Sequence, residues 1–116
     1  MNEVTYFYRK NTWSGRFEPH GWGNGYVCIP KGHPLYGQRK KIKDLVGYKV
    51  IGGVTFAEHY SRCKVGFFVP IEASGKFIIG FDTVYPFCDL VSHDEAFVKN
   101  ETHKLYELIV NYNKNN

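Results

Sequence analysis

Residues 92–112 read SHDEAFVKNETHKLYELIVNY, a long stretch whose apolar positions recur at helical spacing. Phe97, Val98, Leu105, Leu108, Ile109 and Tyr112 fall on neighbouring faces of such a helix, while Lys99, Glu101, Lys104, Glu107 and Asn111 can occupy its wetter side. Ser92 stands three residues ahead of Glu95, as a capping box requires, so the helix is expected to start there. Asn113 to Asn116 are expected to fray.

Upstream the pattern changes to short runs rich in β-branched and aromatic residues. Lys64–Ile71 and Lys76–Phe81 are expected to pair as strands through the hairpin loop Glu72-Ala73-Ser74-Gly75. Glu3–Arg9 reads as a first strand, Trp13–Gly23 as loop, and Gly25–Pro30 as a short strand that Pro30 stops. Lys31-Gly32-His33-Pro34 must turn, with Pro34 pushing His33 toward extended geometry. Ile42–Val46 predicts one helical turn, and Tyr48–Phe56 a strand interrupted by Gly52-Gly53, a pair that marks a bulge or a close backbone approach. The whole predicts one α+β domain over residues 1–116, a mostly antiparallel sheet of about four to five strands covered by one C-terminal helix.

A chain of 116 residues supports a single core that buries about two thirds of the unfolded surface. Hydrophobic residues at 43% and charged residues at 22% make the composition globular; aromatics at 17% need a use, in the core or in a pocket that stacks flat ligands. The net charge of +4 favours anionic partners, although it is modest for a nucleic-acid binder, as is the basic run Gln38–Lys43. That run suits a solvated loop or a surface facing an anionic ligand. Cys28, Cys63 and Cys88 cannot pair completely and show no zinc-ligand spacing, which points to a reducing cytoplasm and to neither metal nor cofactor. With no apolar signal core and no window long enough for a membrane span, a cytoplasmic protein without membrane contact is expected.

Three glycine-rich runs stand out as candidate ligand surfaces. Trp22, Tyr26, Tyr36 and Tyr85 could stack on a base, or serve as core; Asn24, Lys31, His33 and Arg39 add polar and cationic groups around the first run. Gly52, Gly53 and Thr55 could offer successive backbone N–H groups and a hydroxyl to a phosphate, or form a bulge. Asp82 ends a strand, where a carboxylate can accept from a sugar hydroxyl, hold a metal or cap a turn. His33 in a turn between Gly32 and Pro34 is a binding candidate or a plain turn residue. Asp89, His93 and Asp94 are the nearest partners Asp82 would have for hydrolysis, and no nucleophile elbow, P-loop or HExxH motif is present.

Taken in order and spacing, GNGYVCIPKGHPLYG at 23–37, GGVTF at 52–56 and IGFDT at 79–83 resemble a family of small proteins encoded by bacteriophages and prophages. The resemblance covers roughly Asn24–Asp89 and brings no established activity with it. Family members carry a histidine just before the glycine pair and another three residues after the GFD aspartate; this chain has Ile51 and Tyr85 there, which argues against a histidine-based site. Set in that phage context, the aromatic surfaces, the glycine-rich amides and Arg39, Lys40 or Lys31 suit a phage-encoded anti-defence protein, acting in the host cytoplasm, that sequesters a nucleotide-derived immune signal such as a cyclic oligonucleotide or an ADP-ribose derivative. Two other readings stand beside it: a nucleotide or phosphodiester hydrolase using His33 and Asp82, and a direct inhibitor of a host defence protein. A homodimer is also expected.

Overall fold

The computed structural model describes residues 3–11, 21–62, 70–84 and 88–112. Four strands, β1 (Thr5–Lys10), β2 (Gly23–Ile29), β3 (Phe56–His59) and β4 (Phe77–Phe81), form one antiparallel sheet in the order β1-β2-β4-β3. Helix α1 (Arg39–Val46) lies between β2 and β3, and helix α2 (Glu95–Val110) closes the chain. This is the α+β architecture the sequence predicts, with a sheet of four strands among the described residues.

The two central strands explain why their sequences do not alternate. Tyr26-Val27-Cys28-Ile29 and Phe77-Ile78-Ile79-Gly80-Phe81 are buried throughout, because both faces of the middle of the sheet are covered. Val27, Ile29, Phe77, Ile79 and Phe81 project toward the helices and meet Val98, Leu105 and Ile109 of α2, together with Leu35, Ile42, Val46 and Val50. Each such side chain contributes about 1.5–3 kcal/mol by leaving water. Tyr26, Cys28 and Ile78 face the other way and pack with Ala73, Phe7, Phe56 and Tyr60.

Several boundaries differ from expectation for identifiable reasons. The N-cap of α2 is Asp94, whose side chain accepts from Phe97 N at 3.0 Å; Ser92 instead belongs to a turn in which the Asp89 carboxylate accepts from Val91 N and Ser92 N. Helix α1 extends over eight residues rather than one turn, its apolar side carried by Ile42 and Val46. Tyr48–Thr55 is not a strand: Gly52 and Gly53 both take positive φ, 67° and 72°, and Gly53 N closes a turn onto Val50 O at 2.9 Å. The strand begins only at Phe56. Of the expected strand Lys64–Ile71, only Pro70 and Ile71 lie among the described residues, and Ile71–Ala73 forms a 3₁₀ turn leading into β4. The greater part of the expected Trp13–Gly23 loop lies outside them too.

Glu101, expected on the wet side of α2, is 6% exposed. Its carboxylate accepts from Ile51 N at 2.9 Å and pairs with Lys104, so it ties the α1–β3 connection to α2. Lys76 is likewise buried, its ammonium donating to Glu3 O at 2.8 Å across the end of β2.

Gly25 sets how closely α2 approaches the sheet. A Cβ at this position would stand 1.9 Å from Thr102 Oγ1 and 2.5 Å from the Phe81 ring. Gly25→Ala is therefore expected to lower stability by about 1–3 kcal/mol in chemical denaturation, and Thr102→Ala in the same chain to recover part of the loss.

Candidate functional site

The sheet face turned away from α2 gathers polar groups at one end. Antiparallel register places Phe7 opposite Tyr26 and Arg9 opposite Asn24, and puts Gly80 opposite both Tyr26 and Phe56. Residues opposite one another share a face, so Arg9, Asn24, Tyr26 and Phe56 converge. Gly80 makes room for the phenol: a Cβ there would lie 2.5 Å from Tyr26 Cδ1. Phe7 stacks on the Tyr26 ring at 4.8 Å, Phe56 meets it edge-on at 5.8 Å, and the Arg9 guanidinium stands 5.8 Å from its centroid.

Asp82 and Thr55 complete the rim. Thr55 donates its hydroxyl to Asp82 Oδ2 at 3.0 Å and its backbone N–H to Gly80 O at 2.9 Å, which fixes the entry to β3 beside the exit of β4. Val84 N donates to Asp82 Oδ1 at 3.3 Å. The Tyr26 hydroxyl hydrogen-bonds the side chains of Asn24 and Arg9. Asn24 Oδ1 is buried with no hydrogen-bond partner among the described residues, so the amide nitrogen is the donor to the phenol. The outcome is a cation, a phenol, an unsatisfied carbonyl and a carboxylate–hydroxyl pair within one patch.

Other expected site residues lie elsewhere. His33 Nδ1 accepts from Leu35 N at 3.0 Å, which leaves Nε2 to carry the proton it donates to Ile109 O at 3.0 Å. Its ring thus pins the turn after β2 to the end of α2. Tyr36 lies edge-on to His59 at 5.3 Å and to Phe77 at 6.2 Å. Arg39 donates to Ala57 O, pairs with Glu58 at 3.2 Å and covers Phe77, while Lys31 is exposed. Trp22 packs against Tyr8 at 6.0 Å and borders the helical core. Gly53 and Thr55 commit their N–H groups to chain carbonyls, so a phosphate nest at the glycine pair lacks both donors. Tyr85 lies outside the described residues.

No protein-family model, curated protein or solved structure matches this chain. The site is accordingly read from its own geometry. Among the described residues no group of three His, Cys, Asp or Glu side chains is placed to hold a metal ion. Asp89, His93 and Asp94 serve their own segment: Asp89 N donates to His93 Nδ1 at 3.1 Å, His93 N to Asp89 O, and Asp94 caps α2. Backbone donors, Ser92 N first, hold the exposed Asp89 carboxyl below the usual carboxylate range. No described helix is long and apolar enough to cross a membrane.

Arg9 is the member of this candidate patch that sequence reasoning missed. It ends an aromatic β run and has no motif of its own; only its register opposite Asn24 brings it to the phenol.

Tyr26 is held neutral. Burial pushes its ionisation above the ordinary tyrosine value of 10.0, and Asp82 adds to this, while Arg9 and the Asn24 hydrogen bond oppose it. A raised folded-state value means that the folded chain keeps its proton longer than the unfolded one. The corresponding stability is complete below pH 10.0 and is lost as pH rises above that. Denaturation midpoints should therefore fall more steeply above pH 10.0 in the wild type than in Tyr26→Phe, and equal slopes would refute the assignment.

Proposed function

We propose that this protein binds a nucleotide-derived small molecule on the face formed by Arg9, Asn24, Tyr26, Thr55 and Asp82. The observation that carries the reading is the convergence of Arg9, Asn24, Tyr26 and the Asp82–Thr55 pair at one end of a single sheet face. Arg9 supplies positive charge for an attached phosphate, and the Asp82–Thr55 pair offers an acceptor for a sugar hydroxyl. With the resemblance to phage-encoded proteins, this combination supports sequestration of a host immune signal, a cyclic oligonucleotide or an ADP-ribose derivative.

The groups present favour binding over turnover. His33 follows the Ile29 end of β2, which pairs with Phe77, whereas Asp82 follows Phe81 at the opposite end of β4. Both nitrogens of that imidazole are engaged, so an acid–base pair of His33 with Asp82 has neither the placement nor the open ring nitrogen it needs.

The test is capture: the purified chain is incubated with cyclic oligonucleotides and ADP-ribose isomers, repurified, denatured and analysed by mass spectrometry. Release of one intact ligand, with affinity about tenfold weaker or worse in Asn24→Leu, is the expected result. A chemically altered ligand would make the protein an enzyme, and absence of capture would overturn the reading in favour of a protein partner.

A further inference from the structure

Across the sheet from the Tyr26 face, an open groove of about 600 Å3 runs between α1 and α2. Its volume lies in the range of small-molecule sites, about 300–1,000 Å3. Leu45 of α1 with Leu108 and Tyr112 of the α2 end form an apolar floor; all three are half-buried and rest on the main core. Lys49, His103, Lys104 and Glu107 form its exposed rim.

Of the two rim lysines, Lys104 is balanced by Glu101, so Lys49 is the cation left to face the groove beside Glu107. Lys49 donates to Leu45 O at 3.1 Å, but an ammonium has three donors, so it retains hydrogens for another acceptor. Lys41, one turn before Leu45 on α1 and exposed, adds positive charge on the same side. The His103 ring is set in place by Tyr6 at 6.2 Å and Tyr106 at 5.9 Å.

We infer that this groove binds a flat aromatic anion, its rings laid on Leu45, Leu108 and Tyr112 and its acidic group directed at Lys49. Charge complementarity selects the occupant. A neutral hydrocarbon forgoes Lys49, and a bare inorganic anion leaves the apolar floor wet. The site is separate from the nucleotide-binding face, and the inference does not rest on that reading.

Two fluorescent probes of nearly the same shape test it: 1-anilinonaphthalene-8-sulfonate, which is anionic, and N-phenyl-1-naphthylamine, which is neutral. The full chain, with near-UV circular dichroism confirming native packing, should bind the sulfonate at least about tenfold more tightly than the amine. Lys49→Glu should weaken the sulfonate by a similar factor, while Asn24→Leu leaves it unchanged. Amide shifts in the wild-type NMR spectrum should cluster at residues 45–49 and 103–112, a readout independent of whether any variant folds. Equal affinity for the two probes, insensitivity to Lys49→Glu in a folded variant, shifts centred elsewhere, or no binding would each overturn the inference.

Discussion

The pairing of β2 with β4 is the constraint on which the remaining structure depends. Both strands are buried on both sides, so their register, Tyr26 opposite Gly80 and Val27 opposite Ile79, assigns every side chain to one of two environments. A slip of β2 by one residue would turn Val27 and Ile29 away from the helices and bring Tyr26 into the main core. Two glycines adapt the pair to its neighbours on opposite sides: Gly25 lets α2 descend onto the sheet, and Gly80 lets the Tyr26 ring lie across β4. The helical core and the polar face are therefore consequences of the same alignment.

Around this pair the connections are held by side chains that reach distant backbone. Glu101 binds Ile51 N, His33 binds Ile109 O, Lys76 binds Glu3 O and Thr83 binds Gly23 O. Each engages a main-chain group in a turn or at the end of an element, and each joins segments far apart in the chain. Polar residues that look like candidates for chemistry are thus in part the fastenings of a small fold with long turns. His33 is the clearest instance, since the setting that drew notice to it is also the setting of a tether.

What the sequence made legible follows from how local the signals are. The period of α2, the apolar runs of β2 and β4 and the terminating Pro30 act within a few residues, and the α+β architecture follows from them. Tyr48–Thr55 misled because Val50 and Val54 are apolar for core contact, while the positive φ of two glycines removes the segment from the sheet. Glu101 misled for the opposite reason: a charge on a helix implies solvent unless an orphan N–H, here that of Ile51, waits opposite it. Within the candidate site, Asn24, Tyr26, Thr55 and Asp82 were legible from the glycine-rich runs around them. Arg9 was not, because register between β1 and β2 is a property of two segments at once.

The separation in sequence of β2 from β4 bears on how the molecule comes to be folded. Strand β4 pairs with β2 only after the chain has passed through α1 and β3, and the bond from His33 to Ile109 closes a span of 76 residues. Loop-closure entropy therefore opposes early assembly, and β2, apolar on both sides, has β1 on one edge but lacks β4 on the other until the second half of the chain is present. The topology implies concerted refolding with no stable N-terminal half, to be seen as one stopped-flow phase shared by fluorescence and far-UV signals; an early phase confined to β1 and β2 would contradict it. The same arrangement that leaves the finished protein with a well-covered centre leaves a chain cut short before Phe77 with an apolar strand exposed to whatever it meets.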